Sequence, residues 1–322
     1  MIKLPWLQDQ IKQWQELVIS QQVPHAILLN SAKGLGKFEL AKEMAHIALC
    51  EDLSPEGGCG RCSACELFKV GNHPDFTLIS AEKNTIKVEQ IRKLSKDIRL
   101  SATKGQYRVV VIENAEQMNK ASANALLKTL EEPPNKVILI LTTSEMGRLL
   151  PTIKSRCVKI NIVPPSQIES LNWLESFLQK PQAEIVTSLA LANNSPLIAK
   201  AILRDNILLQ VKQVLGDLQA LISNQKTVLE VSKAWFAEEL FVHLPLLASY
   251  FINLMKYNNQ LAASNHAQYL NFQFDLSQVF GLNNKILEFV RNIYRFNFRS
   301  ETALKKELLI EELLINWKLA FK

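Results

Sequence analysis

No stretch of this chain approaches the ~18 consecutive apolar residues of a membrane-spanning helix, which excludes an integral helical membrane protein. A secretory leader is missing too. The opening Met-Ile-Lys-Leu-Pro-Trp does not fit one, and Leu4–Trp14 is broken by Gln8, Asp9 and Lys12. The expectation is therefore a soluble, cytoplasmic protein. Cysteine is scarce, with 5 in 322 residues. In a reducing compartment those few do not make a disulfide framework. A strong charge of either sign is also absent: the formal net charge of +6 suits work near nucleic acid but does not require it. The length and apolar content allow two or three packed domains.

What cysteine there is lies together. Cys50 is followed by Cys59-Gly-Arg-Cys62-Ser-Ala-Cys65, a C-x8-C-x2-C-x2-C spacing, with Gly57, Gly58 and Gly60 allowing tight turns between ligands. Four thiolates at about 2.3 Å around a tetrahedral ion form a closed, structural zinc site, with no position left for a reactive water. An iron–sulfur cluster also uses four cysteines and is the rival reading; it would colour the protein. His73 stands near the cluster but four sulfurs fill the shell, so it reads as a surface or loop histidine.

A second feature is a phosphate loop with parts missing. The pattern G-x-x-x-x-G-K-[ST] uses glycine-rich backbone to cradle phosphates, Lys to meet the β/γ charge and a hydroxyl to hold Mg²⁺. In Ser31–Phe38, Gly34, Gly36 and Lys37 remain, but Ser31 replaces the first glycine and Phe38 replaces the hydroxyl residue. A phenyl ring cannot ligate a hard cation that takes oxygen. The setting is otherwise right, with a buried strand at His25–Asn30 before the loop and a helix at Lys37–Leu49 after it. The apolar run Tyr107–Ile112 ends in Glu113-Asn114. An acidic residue there holds Mg²⁺ in related ATPases and the next one positions water. Glu113 suits the first task, but Asn114 cannot act as a base. Two independent positions thus fail in the same direction. Hydrolysis at this chain's own site is not expected, and Lys37 reads as a solvated lysine at a helix N-terminus.

Further strands are predicted at Asp75–Ser80, Val137–Thr143 and Cys157–Ile162, and helices at Val88–Leu100 and Lys120–Glu132, the latter stopped by Pro133-Pro134. Met146–Ser155 reads as helix or turn. Strands alternating with helices, with apolar runs buried on both faces, predict a parallel sheet between helical layers. Pro164-Pro165 ends this α/β part. Beyond it only helical patterns occur, about three short helices to residue 204 and a larger helical segment after it.

Ala125-Leu-Leu-Lys-Thr-Leu-Glu-Glu-Pro-Pro134, followed by Ser155-Arg156-Cys157, resembles the AAA+ subunits of DNA polymerase clamp loaders. The Cys50–Cys65 insertion points to the bacterial branch. The altered phosphate loop and Asn114 point to the delta-prime family of DNA polymerase III rather than to its ATP-hydrolysing gamma/tau relatives. The resemblance is strongest over about residues 20–165. It implies an AAA+ domain with a parallel sheet and inserted zinc loop over residues 1–165, a small helical lid domain over 166–205, and an all-α collar domain over 206–322. It also implies a five-subunit assembly with gamma/tau and delta subunits that places a sliding clamp on primed DNA. The arginine of the S-R-C triplet reaches a neighbour's ATP site in that family. Carried over, Arg156, between Ser155 and Cys157, is an arginine finger acting in trans. A guanidinium suits this, since it stays charged and can bridge phosphate oxygens in a fork. Cys157 reads as a small buried residue opening a strand. In the lid, Asn193-Asn194-Ser195-Pro196-Leu197 stands where ATP-using relatives place a sensing arginine. Asn194 and Ser195 read instead as a helix cap with Pro at the first helical position. Thr142-Thr143-Ser144 marks the strand tip where relatives carry a polar sensor.

In the last segment Ile286, Phe289, Val290 and Ile293 share one helical face, and Leu304, Leu308, Leu314 and Trp317 share another. Arg291, Arg295 and Arg299 form a basic stripe. Two other functions remain open on the residues: an active AAA+ ATPase with a divergent loop, which ATP binding by the lone chain would reveal, and a zinc-containing nucleic-acid-binding protein, which salt-dependent DNA affinity would reveal. Only Arg61, Phe68 and Lys69 surround the cysteine loop, a sparse surface for the latter.

Overall fold

A computed structural model describes residues 3–54, 57–98, 102–258, 282–295 and 303–321. The chain forms two compact units, Met1–Pro165 and Ser166–Lys322, so the boundary falls at the Pro164-Pro165 pair. The first unit contains α1 (Gln8–Ile19), β1 (Ala26–Asn30), α2 (Lys37–Leu49), β2 (Leu53–Ser54), β3 (Gly57–Gly58), α3 (Ser63–Lys69), β4 (Phe76–Ile79), α4 (Val88–Asp97), β5 (Arg108–Ile112), α5 (Lys120–Glu131), β6 (Val137–Thr143), α6 (Pro151–Lys154) and β7 (Val158–Asn161). Five strands make a wholly parallel sheet in the order β4-β5-β6-β1-β7, and β2 with β3 forms a short antiparallel ladder.

The central strands carry unbroken apolar runs, with polar residues only at their ends (Asn30, Arg108, Thr142 and Thr143), because helices cover both faces. Ala26, Leu28, Val110, Ile112, Leu139 and Leu141 pack with Ile91 and Leu94 of α4 and with Ala123, Leu126 and Leu130 of α5. The alternate set, Ile27, Leu29, Val109, Val111, Ile138 and Ile140, is equally buried, and α2 lies against β5 and β6 on that side. Each such valine, leucine or isoleucine contributes about 1.5–3 kcal/mol over its exposed state. The α2 and β6 boundaries agree with the sequence reading. The α4 helix ends at Asp97 rather than Leu100, Ile98 closing it with an N–H bond to the Leu94 carbonyl. Between Met146 and Ser155 the chain makes a 3₁₀ turn, Met146–Arg148, and then α6, which starts afresh at Pro151.

The second unit contains α7 (Gln167–Glu175), α8 (Gln182–Leu191), α9 (Pro196–Arg204), α10 (Ile207–Ile222), α11 (Val228–Ala237), α12 (Leu244–Asn258), α13 (Leu282–Arg295) and α14 (Ala303–Ala320), with no strand among its described residues. Ser195 is the N-cap of α9 with Pro196 at the first helical position, but its side chain makes no capping hydrogen bond. Thr227 and Glu230 form a reciprocal capping box on α11. Ile286, Phe289, Val290 and Ile293 are all buried, as their spacing predicts. On α14 the core face is Ile310, Leu313, Leu314 and Trp317. Leu308, expected on that face, is 56% exposed, and the Leu304 side chain lies outside the described residues. Arg291 and Arg295 are exposed; Arg299 lies outside the described residues. No helix among the described residues is long and apolar enough to cross a membrane.

Candidate functional site

The four clustered cysteines converge. Cys50 closes the C-terminus of α2, Cys62 is the N-cap of α3, and Cys59 follows the β2–β3 ladder. Their sulfurs all lie within 4.8 Å of one another, with neighbouring pairs at 3.6, 3.9 and 4.0 Å. A tetrahedron with metal–sulfur bonds of about 2.3 Å has edges of about 3.8 Å. A disulfide would need about 2.05 Å, and all five cysteines are free. Backbone N–H groups point at the sulfurs: Cys59 donates to Cys50 at 3.2 Å, Cys62 to Cys59 at 3.3 Å and Cys65 to Cys62 at 3.4 Å. Such donors favour thiolate. The N–H of Arg61 is the largest cause holding the Cys59 thiol down at about 6, while burial pushes Cys50 and Cys65 up. A dication would displace the remaining protons, as thiolate ligation requires. The residues therefore fit a closed four-sulfur metal site.

His73 is not a surface residue. It is 4% exposed, and its Nδ1 accepts the N–H of Asp75 at 3.1 Å; burial holds its imidazole below the ordinary range. The sequence reading missed His46, which stacks on Phe68 with ring centroids 5.4 Å apart. Its ring occupies the space a side chain at Gly58 would need, 2.5 Å from an ideal Cβ, so this glycine serves close approach rather than turn geometry.

Both remaining glycines of the altered phosphate loop take up positive φ. Gly34 and Gly36 have φ of 77° and 89°, the left-handed region that favours glycine, and Gly36 is the N-cap of α2 with no side-chain cap. The Trp6 indole N–H pins the loop through the Leu35 carbonyl at 2.9 Å, a contact no local signal announces. Lys37, expected to be solvated, is 7% exposed. Burial pushes its ammonium below the ordinary range, and the buried Glu116 carboxylate pulls the other way. Phe38 sits where a hydroxyl would hold Mg²⁺, with the Lys42 ammonium 4.8 Å from its ring centre. Ser31 turns its hydroxyl to the Ala32 carbonyl at 2.9 Å. Burial raises the Glu113 carboxyl, and Glu39 adds to that. Asn114 is left-handed at φ 50° and donates its N–H to Thr142 Oγ1 at 3.0 Å, while Thr143 Oγ1 accepts the Glu145 N–H at 3.2 Å. The polar tip of β6 thus supports the loop after β5 and the turn that follows β6 itself.

Arg156 follows α6, whose C-cap is Ser155. Its side chain is 35% exposed, ion-paired with Glu131 at 2.7 Å, and donates to the Thr152 carbonyl at 3.0 Å. Cys157 is buried, and burial pushes its thiol up to about 11, which disfavours the thiolate form.

Residues 6–166 match the sequence model of the family described as DNA polymerase III, delta subunit. The DNA polymerase III subunit delta' of Pseudomonas aeruginosa is 33% identical over 330 aligned residues, 97% of this chain and 96% of that protein. The DNA polymerase III subunit gamma of Buchnera aphidicola is 35% identical over 161 residues, 49% of this chain and 44% of that protein. A solved DNA polymerase III gamma subunit-related protein of Thermotoga maritima shares the fold, with a TM-score of 0.52 at 17% identity over 96% of this chain and all of that one. The sequence match to the Buchnera gamma subunit spans half the chain, whereas the match to the Pseudomonas delta' subunit runs nearly end to end. The chain belongs to the DNA polymerase III subunit delta' family.

Proposed function

We propose that this chain is a clamp-loader subunit that hydrolyses no ATP itself and supplies Arg156 to the ATP site of an adjacent subunit. Its partners are the gamma/tau and delta subunits in a five-membered assembly that places a sliding clamp on primed DNA. The observation that carries the non-hydrolysing half is Phe38. With Lys42 over its ring, it fills the place of the Mg²⁺-holding hydroxyl. Buried Lys37 and the missing base at Asn114 support the same reading. Residues 166–205 act as the lid and 206–322 as the collar that joins the ring. Cys50, Cys59, Cys62 and Cys65 hold a structural Zn²⁺, which supplies a fixed cross-link between α2, the β2–β3 ladder and α3 and no chemistry on substrate.

Titrating MgATP into the isolated chain is expected to give no binding heat and no phosphate release. The same chain mixed with gamma/tau and delta subunits is expected to elute as one complex. Arg156→Ala should assemble normally and depress DNA-stimulated turnover, by on the order of 10³-fold at the one site it serves. Turnover by the lone chain, or unchanged turnover in the Arg156→Ala complex, overturns the reading.

A further inference from the structure

Glu131 is the last residue of α5, and Pro133-Pro134 stop the helix just behind it. Nothing in the phosphate loop or the metal cluster uses it. Its carboxylate nonetheless meets Arg156 at 2.7 Å while remaining half exposed. The arginine itself leaves the end of α6, an element of one turn, on a long side chain with much rotamer freedom when unpartnered. Two anchors remove that freedom. One terminal nitrogen is held by Glu131 Oε1, and the other donates to the Thr152 carbonyl at 3.0 Å. A planar fork fixed at both terminal nitrogens has its plane set; the nitrogen on Thr152 also reaches Ser155 Oγ at 3.5 Å, so of its five N–H donors two remain to offer.

We infer that Glu131 is the positioning residue for Arg156: it holds the guanidinium ordered at the surface so that the unspent donors meet a triphosphate on the adjoining subunit. The inference rests on the trans reading of Arg156 given above and names the group that makes it work. The pair is exposed enough that its attraction contributes little to folding. Its effect lies in ordering, because a charged group displaced by ~1 Å from the reacting phosphate can lose on the order of 10²-fold in rate. Neutralisation by the carboxylate is weak at such exposure, so the fork keeps most of its pull on an anion. The acidic pair in Glu131-Glu132-Pro133-Pro134 therefore has a use at its first member that helix termination by the prolines does not explain.

The test uses the full chain in the reconstituted loader, with assembly checked by gel filtration and kcat and KM for ATP measured with primed DNA. Glu131→Ala should lower kcat about tenfold with KM changed less than about twofold, the split expected of lost alignment rather than lost binding. Glu131→Gln keeps an acceptor oxygen and should restore most of that loss. In the Arg156→Ala background, Glu131→Ala should add nothing. Three results overturn the inference while leaving Arg156 in place: faster turnover in both Glu131 variants, which marks a competing latch; unchanged kcat in Glu131→Ala when Arg156→Ala is slow; or losses that multiply in the double variant. Unchanged turnover in Arg156→Ala instead fells the trans reading, and the positioning role with it.

Discussion

The carboxylate of Asp75 is fully enclosed, at 0% exposure, just before β4. Oδ1 accepts the N–H of Thr103 at 2.7 Å, Oδ2 accepts those of Lys104 at 2.8 Å and Gly105 at 3.2 Å, and Arg108 pairs with it at 3.4 Å. Burial alone would raise its pKa, but the three N–H groups and the guanidinium outweigh it, and the net direction is down. A carboxyl depressed in the folded state contributes stability that is present above its unfolded pKa of about 3.9 and lost as pH falls through the folded value. Asp75→Asn should therefore cost about 3 kcal/mol near neutral pH. In thermal melts from pH 7 to pH 2, the gap between the native chain and the variant should close only below about pH 4. A gap constant over that range would refute the assignment. The sequence read Asp75 merely as a strand opening. Its donors are supplied by residues 103–105, and the chain carries no local mark of a pairing at that distance. The burial of Lys37 escapes the sequence for the same reason: a helix N-terminus looks solvated until the elements that cover it are known.

At the scale of elements, α2 runs from the phosphate loop at Gly36 to the sulfur cluster at Cys50. Its length and its buried stripe were legible because a 3.6-residue period against a sheet leaves a strong pattern. The two-residue β2–β3 ladder left none, since pairs so short have no period. On α14, Leu308 was assigned inward by spacing but faces out, because an amphipathic reading of a helix rich in leucine has more than one solution. The metal prediction belongs here. Protein prepared without chelator should contain about one zinc per chain, as a closed four-sulfur shell holds a single ion. Removing it with a strong chelator should raise amide exchange over Cys50–Lys69 while β5 and β6 stay protected, because the metal holds two helix ends whereas the sheet has its own core. Equal exchange with and without chelator would dismiss the ion as a structural part.

Across the whole molecule, the α/β unit could be read almost strand by strand, since strands covered on both faces advertise themselves as unbroken apolar runs. The helical unit yielded its three short first helices and its helical character, but neither the division of the segment after residue 205 into helices nor its packing. Trp317 lies among Phe251, Phe289 and Phe321, with ring centroids 5.4, 4.5 and 4.3 Å away, and its indole N–H reaches the Leu218 carbonyl at 3.1 Å. It joins α10, α12, α13 and α14. Trp317→Ala should destabilise the Ser166–Lys322 unit by about 3–5 kcal/mol, read as weakened amide protection in α10 and α14. A loss below about 1 kcal/mol would mean the ring is not central to that core. The candidate site was legible where chemistry is tied to spacing, as in the cysteines and the glycines around Lys37. It was illegible where a partner comes from another element, as Glu131 does for Arg156.

The sheet order has a consequence for biosynthesis. β1 is made first, yet it is bordered on both sides by the last two strands, with Ala26 opposite Leu139 and Ile27 opposite Val158. At ~5–20 residues per second, the emerging Ala-Ile-Leu-Leu segment waits on the order of ten seconds on the ribosome before either neighbour exists. Throughout that interval it is a sticky thread without the strands that later flank it, and such exposed apolar surface favours aggregation until translation delivers them.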